Sequence, residues 1–281
     1  MKKITTASLL EMKKRAERIA VLTAYDATFA QLQDRAGIDV ILVGDSAAMV
    51  MAGDSTTLSA TMDQMLYHVS CVSKGIERAL LVADMPFLSF QITPEETLEN
   101  AGMFLAEASA EAVKLEGGKP VIETVKRLVD AGIPVMGHLG LTPQSIHKFG
   151  GWGVRAKGKV EAAQLYEDAL ALEEAGAFSI VLEKIPAQLA AKVSQALKIP
   201  TIGIGSGPDC DGQVLVNYDM LGLYEQMCLK FVRQYRKLGE EVRGAVKEFI
   251  TDVKEGNFPS AEESYYTETK EDENIPHYPR P

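Results

Sequence analysis

Cysteine is scarce in this chain. Three in 281 residues, Cys71, Cys210 and Cys228, are widely spaced and odd in number, which excludes a disulfide framework and a paired-thiolate metal site. Three free thiols in a reducing cytoplasm are expected. Histidine is nearly as rare, with four residues and no His-x-x-x-His spacing, so the usual helical zinc signature is missing. Positive charge is outnumbered: 29 Lys and Arg face 39 Asp and Glu, a net charge of −10 with no basic tail to offset it. Such a chain suits neither nucleic acid nor an anionic membrane, and a small-molecule partner fits better. Runs of about 18 or more apolar residues, the length that crosses a bilayer, do not occur. Met1-Lys2-Lys3 leads into Ile4-Thr5-Thr6-Ala7-Ser8 rather than an apolar leader core, and a cytoplasmic location is expected.

What the chain does hold is a globular composition, 46% hydrophobic and 24% charged, enough for a sizeable core. Its length suits one eight-stranded α/β barrel, a fold that commonly uses about 250 residues as a single domain. Five apolar runs carry the pattern: Val40-Ile41-Leu42-Val43-Gly44-Asp45, Leu80-Leu81-Val82-Ala83-Asp84, Val113-Lys114-Leu115-Glu116, Val135-Met136-Gly137-His138 and Ser179-Ile180-Val181-Leu182-Glu183. Continuous apolar runs separated by helical segments read as parallel strands buried on both faces. Residues 19–24 supply a first strand, 201–204 a seventh, and 214–216 the weakest, an eighth. The periodicity predicts helices over 27–36, 61–74, 94–111, 121–131, 160–175, 186–197 and 231–253, and an amphipathic helix over 6–18 that caps the barrel bottom. Residues 46–61 read as a mobile loop and 141–159 as a long loop carrying the only Trp, Trp152. The barrel is expected to occupy 1–258, leaving 259–281 as an acidic, extended arm.

Each of the five runs ends in a polar residue, and in parallel barrels the chemistry gathers at the carboxyl ends of the strands. Those residues therefore read as one assembled site. Lys114 and Glu116, two apart on a strand, share a face and deliver a cation and an anion together. Asp45 before Ser46 also suits a helix N-cap. Asp84 does not, because Met85-Pro86-Phe87 follows it and no helical pattern starts before Pro94. A divalent metal is the sharper account of Asp45, Asp84 and Glu116, and oxygen-only ligands point to Mg²⁺ rather than Zn²⁺. Glu183 ends a later strand, either as a base above the metal or as a surface acid paired with Lys184. His138 suits a hydrogen-bonding wall residue as well as a ligand. Gly203-Ile204-Gly205-Ser206-Gly207 is similar to a barrel phosphate loop, but glycines also serve tight turns and no phosphate is inferred.

Taken jointly and in order, Val43-Gly44-Asp45-Ser46, Ala83-Asp84-Met85-Pro86-Phe87, Val113-Lys114-Leu115-Glu116-Gly117-Gly118, Gly137-His138-Leu139-Gly140-Leu141-Thr142-Pro143-Gln144-Ser145, Phe149-Gly150-Gly151, Leu182-Glu183 and Asp211-Gly212-Gln213 resemble the motif set of the ketopantoate hydroxymethyltransferase family. The resemblance runs from Ile19 to Phe258. It implies a (β/α)8 TIM barrel of the phosphoenolpyruvate/pyruvate-like group. It also implies transfer of a hydroxymethyl group from 5,10-methylenetetrahydrofolate to 3-methyl-2-oxobutanoate, giving 2-dehydropantoate in pantothenate biosynthesis. Position by position, it implies Asp45 and Asp84 as Mg²⁺ ligands with Glu116 in the metal shell. By the same matching, Asp45, Ser46, Asp84 and Lys114 contact the 2-oxo acid and Glu183 accepts the proton. A cytoplasmic homo-oligomer is implied as well, a decamer in related members. The residue chemistry agrees: a 2-oxo acid chelates Mg²⁺, the metal stabilises an enolate as a Lewis acid, and Lys114 adds positive charge. Ala47-Ala48-Met49, Thr57-Leu58-Ser59 and Ser206 depart from the family pattern.

Two other readings compete. A Mg²⁺-dependent enol-pyruvate lyase or mutase of the isocitrate-lyase-like group needs the same strand-end acids, but usually a Lys-Lys-Cys-Gly-His type loop that this chain lacks. A non-catalytic keto-acid-binding barrel needs no base at Glu183.

Overall fold

Strands buried on both faces need helices outside and one another's side chains inside, and a closed ring satisfies both. The computed structural model, which describes residues 2–224 and 229–266, closes that ring with eight parallel strands. They are β1 (Ile19–Thr23), β2 (Val40–Val43), β3 (Leu80–Asp84), β4 (Ala112–Glu116), β5 (Val135–Gly140), β6 (Ser179–Glu183), β7 (Thr201–Ile204) and β8 (Gly212–Leu215). Neighbours pair in chain order and β8 returns to β1, with Ile19 opposite Gly212 and Val21 opposite Val214. The expected TIM barrel is the observed fold.

Helix α1 (Thr6–Lys14) precedes the ring. Between strands lie α2 (Ala27–Arg35), α3 (Ala47–Val50), α4 (Met62–Ser73), α5 (Pro94–Ala106), α6 (Ile122–Asp130), α7 (Ile146–Phe149), α8 (Lys159–Glu174) and α9 (Ala187–Ala196), and α10 (Asn217–Met220) and α11 (Leu238–Glu255) follow β8. Asp26, Thr61 and Thr93 start α2, α4 and α5 by accepting from the backbone N–H groups of Phe29, Gln64 and Glu96.

The period-2 alternation of each strand sorts its side chains into two cores. Ile41, Val43, Leu81, Ala83, Val113 and Leu115 face outward and pack with helix residues such as Val69, Phe104, Leu128 and Leu172. Val40, Leu42, Leu80, Val82, Ala112, Met136 and Val181 face inward and cluster with Leu9 and Met12 of α1. The N-terminal helix therefore plugs the barrel from the amino ends of the strands, as the periodicity predicts. Chemistry is left to the opposite mouth.

Several boundaries differ from the sequence-based expectation, and α5, expected to reach 111, ends at Ala106. Helix α1 stops at Lys14 rather than 18, because Ala16 takes a left-handed turn (φ 53°) that feeds the chain into β1. Strand β8 starts at Gly212 rather than 214, its ends being set by pairing to Ile19 on one side and Ile202 on the other. Residues 46–61, expected as a mobile loop, contain α3 and a 3-10 turn at Thr57–Ser59, which bury Ala47, Ala48 and Thr57. The last helix starts at Leu238 instead of 231.

Two compact units divide the chain, residues 1–235 with the barrel and 236–281 with α11. The boundary expected at 258 falls inside the second. Cys71 and Cys210 are free thiols, while Cys228 and most of the expected acidic arm lie outside the described residues. No helix among the described residues is long and apolar enough to cross a membrane.

Candidate active site

Every polar residue expected at a strand end reaches one cavity at the carboxyl mouth: Asp45, Asp84, Lys114, Glu116, His138 and Glu183 line it, with Ser46 beside Asp45. All but Ser46 and Glu183 are buried. Strand register makes the pairs. Asp84 lies opposite Lys114, whose Nζ is 2.7 Å from its Oδ1. Glu116 lies opposite His138, with 3.3 Å between Oε1 and Nδ1, and the other ring nitrogen, Nε2, is 3.2 Å from Glu183 Oε2. His138 is therefore a bridge between two acids.

Glu183 is not a surface acid paired with Lys184. Lys184 sits in the left-handed region (φ 45°), rare for a side chain with a Cβ, and its Nζ turns away to donate to the Trp152 carbonyl. Gly140 makes the approach possible. At φ 97° it brings β5 against β6 so closely that a Cβ would lie 2.2 Å from the Glu183 carbonyl, which accepts from Leu141 N–H at 2.8 Å. Asp45 does not cap α3 either. Ser46 holds the cap position without a side-chain bond, while Asp45 Oδ2 accepts from Gln144 Nε2 at 2.9 Å and Asp45 N–H donates to Asp84 Oδ2 at 3.2 Å.

Gln144 is a residue to which strand patterning assigned no role. Its Nε2 also donates to the Met85 carbonyl at 2.9 Å, and its backbone N–H donates to Glu116 Oε2 at 3.0 Å. One buried residue, through its side-chain amide and its backbone N–H, thus ties the ends of β2, β3 and β4 together. Tyr25 is another: its hydroxyl meets Ser46 Oγ at 2.8 Å, and its carbonyl is held by His68 Nδ1 at 2.8 Å. Both come from connections without periodicity, and only the motif containing Gln144 offered a signal.

Burial pushes the Asp45 carboxyl up to about 6, helped by Glu116 and opposed by Lys114 and Gln144. Burial raises Asp84 to about 6 as well, against the pull of Lys114. For Lys114, burial disfavours the ammonium, but Asp84, Glu116 and Asp45 together outweigh it and raise the pKa above that of an ordinary lysine. Burial and Lys114 oppose a charge on His138, yet the Glu116 and Glu183 carboxylates beside its two ring nitrogens lift it to about 9. At the strand ends the mouth thus gathers the carboxyl groups of Asp45, Asp84, Glu116 and Glu183 around Lys114 and His138.

That excess of acid suits a divalent cation. Asp84 Oδ1 and Glu116 Oε1 have charged neighbours but no well-directed hydrogen bond, so buried acceptor capacity remains for a cation or its waters. Among the described residues no three His, Cys, Asp or Glu side chains form a ready cage. Mg²⁺ needs none, since it keeps several waters and takes one or two carboxylates. The donor set fits it.

The ketopantoate hydroxymethyltransferase family model matches residues 3–261. A 3-methyl-2-oxobutanoate hydroxymethyltransferase of Chlorobaculum tepidum is 56% identical over 266 residues, covering 93% of this chain and 96% of that protein. The proteins of that name from Flavobacterium johnsoniae and Syntrophus aciditrophicus are 55% and 53% identical, each over 94% of this chain and 97% of the relative. Among solved structures, a phosphonopyruvate hydrolase in complex with oxalate and Mg++ shares the fold at TM-score 0.60 and 14% identity, over 92% of this chain and 93% of that one. A 2,3-dimethylmalate lyase of the PEP mutase/isocitrate lyase superfamily does so at TM-score 0.57 and 17% identity, over 92% and 91%. The match to the family model and the identity to these relatives, over nearly the whole chain, place the protein in the ketopantoate hydroxymethyltransferase family.

Proposed function

We propose that the chain transfers a hydroxymethyl group from 5,10-methylenetetrahydrofolate to 3-methyl-2-oxobutanoate, forming 2-dehydropantoate for pantothenate biosynthesis. The observation that carries this reading is a carboxylate, Glu183, held by His138 in the same cavity as the Asp45, Asp84 and Lys114 cluster. Asp45 and Asp84 would hold Mg²⁺ with Glu116 in its outer shell, and the metal would supply Lewis acidity to the 2-oxo acid oxygens.

The chain's own groups do the rest. Lys114 places its ammonium where negative charge grows as the C3 proton leaves. Ser46, oriented by Tyr25, offers a hydroxyl to the keto acid. His138 Nε2 engages Glu183 Oε2, which leaves Oε1 to take the proton. The C3 carbanion equivalent then bonds to the donor's methylene carbon as one of that carbon's two C–N bonds breaks, and water replaces the second nitrogen to give the hydroxymethyl group. The proton taken by Glu183 and one from water end on the two nitrogens of the departing tetrahydrofolate. A cytoplasmic homo-oligomer belongs to the same reading.

Two features separate it from its rivals. Neither described cysteine lines this cavity, unlike the reactive-Cys lyases. A binder would have no use for a carboxylate placed as Glu183 is. The test is proton NMR of 3-methyl-2-oxobutanoate in D2O with Mg²⁺ and no folate. Wild type should exchange the C3 hydrogen, and Glu183→Gln should bind the keto acid yet lose most of the exchange. Exchange at the wild-type rate in that variant would move the base to another residue, and exchange without consumption of the methylene donor would end the transferase reading.

A further inference from the structure

The cavity has two ends of different character. Its floor is the charged set; its outer wall is apolar and aromatic, with Met49, Val50, Trp152, Val216 and Phe231. One acid stands in that wall with no task in the chemistry above. Asp219, on α10 after β8, lines the cavity, and burial raises its carboxyl to about 6. Among the described residues its carboxyl group has no hydrogen bond or ion pair.

The aromatic part of the wall is a built feature. Lys184, next to Glu183, donates to the Trp152 carbonyl and lies 6.0 Å from the centre of the Phe231 ring. The Phe231 ring rests on Gly205, where a Cβ would come within 2.9 Å of it. The Trp152 backbone, from the connection after β5, and the Phe231 ring, from the segment after β8, thus meet at one lysine, and both residues line the cavity.

We propose that this outer end binds the pterin ring of the reduced-folate donor, with Asp219 accepting from the 2-amino and N3 hydrogens and Trp152 and Phe231 covering the ring face. The assignment rests on the donor reading above. The pyrimidine half of a reduced pterin is flat, and its edge presents two parallel N–H donors that match a carboxylate bidentately. Its face needs aromatic or apolar cover. A half-buried carboxylate without a partner is costly until such donors arrive. The keto acid cannot supply them, because it is an anion without N–H groups and Asp219 repels it. The nitrogens that carry the methylene lie away from the anchored edge, which leaves the carbon to be transferred toward the floor and Glu183.

Anaerobic equilibrium dialysis with tetrahydrofolate, beside steady-state kinetics and the D2O exchange, tests the assignment with Asp219→Asn and Phe231→Ala. Asp219→Asn should weaken tetrahydrofolate binding and raise KM for the methylene donor by about tenfold or more, as for lost hydrogen bonds to a charged group. The KM for the keto acid should change far less, and C3 exchange reports that the variant is folded. Phe231→Ala should shift the same two folate readouts by a smaller factor. A pterin lacking the 2-amino group keeps only the N3 donor, so it should narrow the difference in affinity between wild type and Asp219→Asn. Equal tetrahydrofolate affinity in wild type and Asp219→Asn, or a matching loss of keto acid affinity, overturns the assignment and leaves the donor reading intact. A wild type that enolises the keto acid but binds no tetrahydrofolate overturns the donor reading and the assignment with it.

Discussion

Lys114 sits where two demands meet, as the countercharge of Asp84 at 2.7 Å and as the cation nearest the proposed keto acid. Hydrogen bonds to charged groups contribute about 1.5–3 kcal/mol, so Lys114→Met should lower kcat/KM roughly tenfold to a hundredfold. Lys114→Arg should restore only part, because a planar fork cannot occupy the place of a compact ammonium. An unchanged kcat/KM in Lys114→Met would put the residue outside the site. Gln144 offers a test of positioning without charge. Gln144→Ala removes the donor to Asp45 and Met85, and loss of such a supporting bond weakens metal sites by about 10–100-fold. Calorimetric titration with Mg²⁺ should show that loss, and full affinity in the variant would make Gln144 merely structural. At this scale the strand-end acids were legible because a carboxylate closing an apolar run has few other uses. Gln144 and Tyr25 were not, because their partners lie between 21 and 99 residues away along the chain.

At the scale of elements, the site depends on how closely β5 and β6 meet. Gly140→Val should place a side chain against the Glu183 carbonyl and force an L-residue into positive φ, a conformation that by itself costs about 1–3 kcal/mol. We expect a lower denaturation midpoint together with loss of C3 exchange in the molecules that remain folded. Stability and exchange both at wild-type level would show that the β5–β6 contact is not what seats Glu183. The strands themselves were readable from continuous apolar runs, and the helices from their caps and period. Ends were less so. Helix α1 stops where the chain must turn into the ring, and β8 begins where two neighbours demand it, neither of which is encoded in a local window.

For the whole molecule, the buried charge predicts a pH response. Asp45 and Asp84 rise from 3.8 to about 6 in the fold, so without metal the native state holds protons that the unfolded chain has released. Their contribution falls as pH climbs from about 4 to about 6. His138, raised from 6.5 to about 9, stabilises fully below 6.5 and loses that contribution as pH rises through 9. Chelated protein should therefore melt at a lower temperature at pH 9 than at pH 6. Mg²⁺ should raise Tm more at pH 8 than at pH 5, because protons on Asp45 and Asp84 compete with the metal below about 6. A Tm at pH 8 that ignores Mg²⁺ would remove the metal from these residues.

Read alone, the sequence determined the barrel, the face on which Lys114 and Glu116 lie together, and the gathering of Asp45, Asp84, His138 and Glu183 at one mouth. Period-2 alternation and the common direction of parallel strands suffice for that. Only the tertiary structure decided which acid meets which cation: that His138 spans Glu116 and Glu183, that Gln144 joins three strand ends, and that Asp219 lines the same cavity as Trp152 and Phe231. Those pairings follow from barrel closure and from the course of connections without period. The distances that set charge and reactivity arise only when segments far apart in the chain are brought side by side.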